Sequence, residues 1–313
     1  MLGSKGAVLA SDTRRTYHIR FQKGNNVENP AASRTALATS LMRAAHTRLD
    51  PHPLIDDPWG DRLVPESVKR AMASSNAVLD ESLMHSRSYA NVVMRSRYAE
   101  DALKAGVSRG VRQYVLIGAG FDSFSLRLPQ FAANLQIFEI DFPATQKLKL
   151  ERIAACGIAL SDVVHFIAAD LSQESVAAAL ARSSFETHEL AFFSWLGVTM
   201  YLTRDANLAT LRSIACCSPP ESEVVFTYLD ERVFQAQSES FRELEQRVAA
   251  VGEPFLSGFD PAELPANLGA CGLDLIEDLN GRQSAARYDR GGEHRLGQSP
   301  FSHIALARVK ERA

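Results

Sequence analysis

Hydrophobic residues along this chain follow two alternating patterns, namely short apolar runs and longer stretches with helical spacing. The short runs predict strands over residues 114–117, 135–141, 163–168, 190–195, 222–229, 273–279 and 303–309. The stretches between them predict helices over residues 144–155, 173–181, 205–216 and 260–271, with Ser172 capping the second. Strands that alternate with helices favour right-handed crossovers. We therefore predict an α/β fold with a doubly wound, mostly parallel seven-stranded sheet, in which a Gly/Arg-rich loop joins a closing antiparallel pair.

The segments outside this alternation predict a helical cap and a helical insertion. Residues 1–28 have no apolar period, so we expect a mobile tail. Residues 33–49, with Ser33 as cap, and residues 80–105 carry helical spacing, as do Phe234 and Phe241 in a charged stretch after the fifth strand. We interpret residues 29–313 as one domain. Its parts are a helical cap (29–110), a cofactor-binding core (111–230), a helical insertion (231–258) and a closing helix with two strands (259–313).

The sharpest local signal is the run of residues 114–117 into Gly118-Ala119-Gly120. Glycine tolerates positive φ and lets a ligand approach the backbone, and free N–H groups at a helix start favour a polar or anionic group. The turn therefore predicts a binding site, although a connection that needs glycine only for its geometry is the alternative. The third glycine of a dinucleotide fingerprint is absent, because Phe121-Asp122-Ser123 follows. This favours a nucleoside cofactor other than a nicotinamide or flavin dinucleotide.

Two acidic residues follow the glycine turn at the spacing of a ribose ligand. In an open α/β sheet the ligand lies beyond the carboxyl ends of the strands, and an acid about twenty residues past the glycines can accept hydrogen bonds from a ribose. Glu139 and Asp141 both lie near this spacing. Asp141 is the stronger candidate because it ends its strand, and a helix cap ahead of Pro143 is its alternative role.

Composition narrows the class of protein without identifying a reaction. Of the 313 residues, 46% are hydrophobic and 23% charged, which is typical of a soluble globular protein. A net charge of −3 gives no special attraction to nucleic acid or an anionic membrane. No apolar run approaches a membrane span and no secretory pattern opens the chain, so we expect a cytoplasmic protein without nucleic-acid or membrane partners. The four cysteines lack metal-ligand spacing, so we expect buried thiols and no metal site.

Several motifs occur in an order that is more specific than any one of them. They are VLIGAGFDS (115–123), FEIDFP (138–143), ADL (169–171) and MYLT (200–203) in the core, and RTAL (34–37), LIDDP (54–58) and RSRY (95–98) near the N-terminus. In this order the chain resembles the leucine carboxyl methyltransferase family, including a bacterial branch with polyketide O-methyltransferases. The resemblance covers roughly residues 33–309 and implies a Rossmann-like class I methyltransferase fold that binds S-adenosyl-L-methionine.

The resemblance also implies roles for individual residues. Gly118, Ala119 and Gly120 would lie against the methionine part of the cofactor, and Asp141, with Glu139 beside it, would hold the ribose. Asp170 and Leu171 would flank the adenine, and Arg95, with Arg34 as a second candidate, would pair with the cofactor carboxylate. A bidentate guanidinium suits a carboxylate, and an aspartate suits an exocyclic amine.

One position departs from the family pattern. Leu196 stands where the family usually has an acidic residue ahead of the Tyr-Leu pair. Asp122 or a backbone carbonyl would then balance the cofactor ammonium, or cofactor binding would be weaker. An inactive chain that keeps the nucleoside pocket therefore stays an alternative.

The expected reaction follows from the chemistry of the sulfonium. Its methyl group is already activated, so the enzyme mainly aligns a nucleophile and excludes water, leaving S-adenosyl-L-homocysteine. A carboxylate acceptor is ionised near neutral pH and needs no general base, and the sequence has no base motif. We therefore predict a small-molecule O-methyltransferase with carboxylate favoured over hydroxyl acceptors. The cap and insertion would form the acceptor pocket, with Tyr98 and Tyr201 either as lining residues or, equally, as core aromatics. A nicotinamide-dependent oxidoreductase is the second enzymatic alternative, and the oligomeric state stays open.

Overall fold

The computed structural model describes residues 34–74, 87–236, 239–250, 253–299 and 301–311. These residues form a seven-stranded sheet with the strand order β3-β2-β1-β4-β5-β7-β6. The strands are β1 (Gln113–Ile117), β2 (Gln136–Asp141), β3 (Val164–Ala168), β4 (Ala191–Trp195), β5 (Glu223–Leu229), β6 (Leu273–Asn280) and β7 (Ser302–Val309). Strands β1 to β5 pair in parallel, whereas β7 pairs antiparallel with both β5 and β6. The predicted doubly wound sheet with an antiparallel closing pair is confirmed.

Helices cover both faces of this sheet. They are α1 (Arg34–Leu49), α2 (Trp59–Leu63), α3 (Glu66–Ser74), α4 (Arg87–Ser108), α5 (Phe124–Arg127), α6 (Pro143–Ala155), α7 (Val176–Leu180), α8 (Arg204–Cys217), α9 (Arg232–Ala236), α10 (Glu239–Ala250), α11 (Leu264–Ala270) and α12 (Gly281–Tyr288). Strand β1 is buried throughout, and its alternate residues belong to two separate hydrophobic clusters. Val115 and Ile117 pack into one cluster, and Tyr114 and Leu116 pack into the other. A central parallel strand covered on both faces explains the unbroken apolar runs in the sequence.

Strand order predicts a ligand site beyond the carboxyl ends of the central strands. The chain passes from β1 outward through β2 to β3, and then returns to the other side of β1 for β4. This reversal leaves a crevice beyond the carboxyl ends of β1 and β4, which is where open α/β sheets bind ligands. The glycine turn begins directly after β1, so it lies at this point.

The predicted helix over residues 173–181 is shorter than expected. Asp170 Oδ1 accepts from the backbone N–H of Ser172 at 3.0 Å and from its hydroxyl at 2.7 Å. Ser172 is therefore held in a turn and does not cap the helix. Ser175 takes that role and accepts from the N–H of Ala178 at 3.1 Å, so α7 spans only Val176–Leu180.

The Gly/Arg-rich segment predicted as a loop contains helix α12. The side chain of Asn280 accepts from the N–H groups of Arg282 and Gln283, and the side chain of Gln283 accepts from the N–H of Asn280 at 2.9 Å. This reciprocal capping box satisfies orphan donors of the first turn. The prediction of a loop was wrong because it weighed the glycines and overlooked the Asn-x-x-Gln spacing.

The cysteine prediction holds for only two residues. Cys217 and Cys271 are buried, whereas Cys216 is exposed on α8 and Cys156 is half-buried after α6. Adjacent residues on a helix point in different directions, so Cys216 and Cys217 cannot both face the core.

Some sequence predictions fall on parts of the chain outside the described residues. These are the tail over residues 1–28, the cap Ser33 and the first residues of the predicted 80–105 helix, which is described from Arg87 and continues to Ser108. None of the helices in the described part combines the length and apolar content that a membrane crossing requires.

Candidate active site

The glycine turn after β1 is built so that side chains are excluded. Gly118 and Gly120 have φ values of 66° and 53°. A Cβ on Gly118 would lie 2.6 Å from the side chain of Val198, and one on Gly120 would lie 2.9 Å from Cβ of Ala36. The turn therefore needs glycine for its backbone conformation and for close packing.

A cavity of about 300 Å³ lies over this turn. Helix α1 lies on one side of it, the ends of β1, β2 and β4 form its floor, and the segment after α10 completes the wall. Its lining residues are Thr35, Ala36, Thr39, Arg43, Arg95, Ser96, Leu116, Ile117, Gly118, Ala119, Gly120, Phe121, Asp122, Asp141, Thr145, Ser194, Leu196, Gly197, Val198, Tyr201 and Glu253.

Asp141 joins the end of β2 to the glycine turn. Its Oδ2 accepts from the N–H of Gly120, and its Oδ1 accepts from the N–H of Phe142 at 2.6 Å. Burial raises the pKa of Asp141 from its usual 3.8 to about 6, although the two backbone N–H groups and Lys149 oppose the rise. The carboxylate is thus held in place, poorly solvated and able to accept further hydrogen bonds.

Arg95 brings a cation into the cavity without a carboxylate partner among the described residues. It donates to Asn91 Oδ1 at 3.2 Å, and its guanidinium packs so closely on Gly197 that a Cβ there would lie 2.5 Å from Nη2. Burial lowers the pKa of Arg95 to about 10, with Tyr201 and Asp122 opposing the shift. Arg95 is still charged at neutral pH, so the cavity can receive an anion here.

A second arginine fixes α1 to the turn. Nε of Arg43 donates to Asp57 at 2.7 Å, and its Nη2 donates to the carbonyl of Phe121 at 2.7 Å. Burial raises the pKa of Asp57, but Arg43, Arg127 and Ser123 together outweigh it, so the net pKa lies below the usual range. Sequence reasoning did not single out this pair. The LIDDP motif, which contains Asp57, was the available signal.

The opposite wall consists of Tyr201 and Glu253. The hydroxyl groups of Tyr201 and Thr35 are hydrogen-bonded, and the Tyr201 ring lies 5.7 Å from that of Phe255. Burial and the charge of Glu253 raise the pKa of Tyr201. Oε2 of Glu253 is buried and has no hydrogen-bond partner among the described residues.

Comparison with known proteins places this architecture in a family. A sequence model of the leucine carboxyl methyltransferase family matches residues 36–215, which is more than half of the chain. The chain belongs to the leucine carboxyl methyltransferase family. YktD of Bacillus subtilis, which is named as a candidate S-adenosyl-L-methionine-dependent methyltransferase, is 30% identical over 272 residues, or 80% of this chain and 88% of YktD. A similarly named protein of Mycolicibacterium smegmatis is 30% identical over 204 residues, or 64% of this chain and 67% of that protein.

Solved structures share the fold. A candidate methyltransferase from Thermobifida fusca superposes with a TM-score of 0.58 at 15% identity, covering 88% of this chain and 97% of that one. A DUF574 family protein from Streptomyces avermitilis gives a TM-score of 0.56 at 14% identity, covering 90% and 99%. These comparisons agree with the predicted family and with a Rossmann-like class I methyltransferase fold.

The structure brings together most of the residues that the leucine carboxyl methyltransferase resemblance assigned to the cofactor. The cavity lining includes the cofactor candidates Arg95, Gly118-Ala119-Gly120, Asp122 and Asp141, and also Tyr201, which was predicted to line the acceptor pocket. They come from α4, the ends of β1 and β2, and the turn after β4. Only the fold places these segments side by side.

Three further candidates lie outside this lining. The carboxylate of Glu139 is buried against Lys149. Asp170 holds the turn at Ser172, and Leu171 packs partly against the hydrophobic core. Adjacent strand residues point to opposite faces, so Glu139 and Asp141 share a direction, but Asp141 is the last residue of β2 and only its carboxylate reaches the turn.

Two candidates from the helical cap are also placed elsewhere. Arg34 is exposed at the start of α1, whereas Thr35, Ala36 and Thr39 of the same helix line the cavity. The prediction that Tyr98 lines the pocket was wrong. Its ring is buried below α12, and its hydroxyl donates to Glu277 at 2.7 Å.

Leu196, the residue at which the sequence departs from the family pattern, lies in the cavity wall. Asp122 lies on the turn opposite it, caps α5 by accepting from the N–H of Phe124 at 2.8 Å, and acts electrostatically on Arg95. Glu253, which the sequence reasoning did not identify, supplies a further carboxylate.

Proposed function

We propose that this chain is an O-methyltransferase that transfers a methyl group to a small molecule bound in the cavity. Its cofactor is S-adenosyl-L-methionine, in keeping with the family and with the named activity of YktD. The observation that carries the proposal is the pair of groups around the glycine turn, a cation at Arg95 that has no carboxylate partner within the described part of the chain and a fixed carboxylate at Asp141.

Arg95 and Asp141 suit a ligand in which an amino acid is joined to a nucleoside. Arg95 would pair with the cofactor carboxylate, Asp122 with its ammonium and Asp141 with the ribose hydroxyls. Backbone at Gly118 and Gly120 would lie against the methionine chain. When bound, the cofactor supplies an electrophilic methyl group on a sulfonium.

The chain itself then has two tasks. Helix α1 and the 253–258 segment exclude water from the cavity, and the wall at Tyr201 orients the acceptor opposite the sulfur. The expectation of a carboxylate acceptor depended on the absence of a base signature in the sequence. Glu253 supplies a carboxylate that could serve as a base, and this supports a hydroxyl acceptor. We propose that the acceptor is a polyketide or another secondary metabolite.

Two other functions have less support. Membership of the leucine carboxyl methyltransferase family and the missing third glycine argue against a nicotinamide-dependent oxidoreductase. An inactive nucleoside-binding protein would bind S-adenosyl-L-homocysteine without transferring a methyl group to any acceptor.

The test combines calorimetric titration with S-adenosyl-L-homocysteine and a transfer assay over a panel of carboxylic acids, phenols, amines and thiols. We expect micromolar binding, about −8 kcal/mol, and methyl transfer to oxygen. Transfer to nitrogen, sulfur or carbon but never to oxygen would contradict the O-methyltransferase proposal. Binding without any transfer would favour an inactive nucleoside-binding protein. An absence of binding would contradict the assignment of the cavity as a cofactor site.

A further inference from the structure

We propose that Glu253 accepts the proton of the methyl acceptor, and that this acceptor is a phenol or enol with an apolar body. The inference rests on the proposed O-methyl transfer and names the class of substrate. It assigns a catalytic role to a residue in the helical insertion, a segment that the sequence connected only with the shape of the acceptor pocket.

The first observation is that Glu253 has a free acceptor inside the cavity. Among the residues that the structure describes, its buried Oε2 has no hydrogen-bond partner and Glu253 forms no ion pair. The other two carboxylates in the lining are engaged, since Asp122 caps α5 and Asp141 accepts two backbone N–H groups. A buried acceptor without a donor is costly, so its retention in a cavity is a mark of function.

The second observation is the position of Glu253 relative to the cofactor groups. Asp122 lies on the glycine turn, whereas Glu253 lines the same cavity from the segment after α10, beside Tyr201. The segment that carries Glu253 is tied to the turn after β4, because the N–H of Leu256 donates to the carbonyl of Met200 at 2.7 Å. Since the glycine turn is the part of the cavity assigned to the methionine chain, we assign Asp122 to the cofactor ammonium and Glu253, beside Tyr201, to the acceptor.

The third observation is the apolar surface beside Glu253. The cavity lining includes the apolar side chains of Leu196 and Val198 together with the ring of Tyr201. The Tyr201 ring is backed by that of Phe255, with 5.7 Å between the ring centroids. Aromatic and aliphatic side chains around one polar group favour a ligand with an apolar body and a single polar function.

The chemistry selects the kind of hydroxyl. A phenol has an ordinary pKa near 10, so a carboxylate can assist its proton loss while the O–CH₃ bond forms, whereas an alkyl hydroxyl is far more basic once ionised. The acceptor oxygen forms a bond to the methyl carbon, the S–CH₃ bond breaks, and its electron pair stays on sulfur. The hydroxyl proton passes to Glu253 and then to water, so the products are a methyl ether, S-adenosyl-L-homocysteine and one proton.

The experiment compares the wild type with Glu253→Gln and with Glu239→Gln, a control that removes an exposed carboxylate at the start of α10 in the same insertion. Glu253→Gln keeps the shape of the side chain and one acceptor oxygen but replaces the other oxygen with an NH₂ donor and cannot take a proton. We expect kcat for phenolic acceptors to fall about 100-fold or more in Glu253→Gln and to stay unchanged in Glu239→Gln. The affinity for S-adenosyl-L-homocysteine should be the same in all three proteins.

A binding experiment provides a readout that does not depend on turnover. Phenol and benzoate are titrated into each protein saturated with S-adenosyl-L-homocysteine. Phenol is neutral and can donate to Glu253, whereas benzoate is ionised and is repelled by it. We expect the wild type to prefer phenol, and Glu253→Gln to shift the phenol-to-benzoate affinity ratio at least tenfold towards benzoate, with no shift in Glu239→Gln.

Each other outcome overturns a defined statement. Wild-type kcat in Glu253→Gln, an unchanged affinity ratio, or no binding of either ring would contradict the proton-acceptor role. Weaker S-adenosyl-L-homocysteine binding in Glu253→Gln alone would assign Glu253 to the cofactor ammonium instead. If the wild type transfers no methyl group to oxygen, the proposed function fails, and the two ring titrations still decide whether Glu253 recognises a hydroxyl group.

Discussion

Asp141 shows how one carboxylate can be both a structural link and a binding group. It accepts from the N–H of Gly120 and from that of Phe142. These two bonds fix the carboxylate at the end of β2, directly beside the turn that must receive the cofactor. A charged acceptor held in this way needs no reorganisation when hydroxyl donors arrive, which is the physical content of preorganisation.

The first prediction concerns Asp141→Ala. We expect binding of S-adenosyl-L-homocysteine to weaken by about 1–3 kcal/mol, because the ribose hydroxyls lose their charged acceptor. Calorimetric titration measures the change, with Asp162→Ala as control, since Asp162 is exposed ahead of β3. Unchanged affinity in Asp141→Ala would show that Asp141 serves the turn alone.

The second prediction is a pH dependence of the same binding. Burial raises the pKa of Asp141 to about 6, and hydrogen bonds from a ribose favour the ionised carboxylate. Affinity should therefore be full above about pH 6 and fall towards tenfold per pH unit below it. The charged neighbours Lys149 and Glu139 act on Asp141 in opposite senses. Asp141→Asn is the control and should bind weakly with a flat profile, so an equal fall in Asp141→Asn would assign the effect to another group.

At the scale of elements, the site depends on how α1 is held against the glycine turn. Arg43 connects Asp57, which follows α1 in the chain, to the carbonyl of Phe121 in the turn. The side chain of Asp57 is fully buried, so its charge is compensated mainly by Arg43. This pair transmits the position of the helical cap to the cofactor turn.

The third prediction follows from this pair. Asp57→Ala should lower the free energy of unfolding by about 3–5 kcal/mol, because it leaves a buried guanidinium without its partner. It should also weaken S-adenosyl-L-homocysteine binding, since Arg43 would no longer be held on Phe121. Asp61→Ala is a matched control. Asp61 of α2 pairs with Arg48, which lies in α1 as Arg43 does. Both side chains are more than 40% exposed, so the loss of this pair should cost about 0–1 kcal/mol. Equal losses in denaturant unfolding would contradict the buried-pair argument.

Elements governed by hydrophobic period were predictable, whereas elements governed by a few local hydrogen bonds were not. Strand β1 and the glycine turn follow from residue type, because the unbroken apolar run over residues 114–117 ahead of Gly118 is typical of a strand covered on both faces. The start of α7 depends on whether Asp170 binds Ser172, and α12 depends on the reciprocal bonds of Asn280 and Gln283. Hydrophobic patterns carry no information about such side-chain hydrogen bonds.

The same contrast applies to the candidate site. Asp141 and the glycine turn lie at a fixed place in the fold, so their meeting follows from strand order. Glu253 follows a helical insertion, and nothing in its local sequence indicates that the chain folds back over the turn after β4. Tyr98 failed for the complementary reason, since helical spacing alone does not say which neighbour a buried ring meets.

At the scale of the whole molecule, one hydrogen-bonded cluster joins the helical cap to the C-terminal region. Asp50, after α1, accepts from His294, after α12, at 2.8 Å. His46 lies next to both, with Nδ1 2.8 Å from the Tyr89 hydroxyl and Nε2 accepting from the N–H of Leu54 at 2.9 Å. His46, Asp50 and His294 are close enough to surround a cation. Both ring nitrogens of His46 are already hydrogen-bonded, however, so the cluster functions as a clasp between distant parts of the chain.

The fourth prediction is that this clasp makes the stability of the whole molecule sensitive to acid. Burial lowers the pKa of His46 from its usual 6.5 to about 4, with Asp50 opposing the shift and His294 adding to it. The folded state therefore holds His46 neutral, and the unfolded chain takes up its proton first as the pH falls. The stabilisation is complete above about pH 6.5 and is lost progressively towards pH 4, up to about 3 kcal/mol at roughly 1.4 kcal/mol per pKa unit.

Denaturant unfolding across this range measures the loss, and two variants show its source. His188→Asn removes a histidine whose side chain is 74% exposed, so it should keep the wild-type pH dependence. His46→Asn should be less stable near neutral pH, because the N–H of Leu54 and the Tyr89 hydroxyl lose their partner, and it should be much less sensitive to acid. The pKa of Asp50 also lies below its ordinary value, since bonds from His52 and His294 outweigh the effect of burial, so its own contribution is lost only at lower pH. A wild-type stability that stays constant between about pH 6.5 and 4 would show that His46 is free to protonate in the folded protein, and the clasp would then not depend on its neutral form.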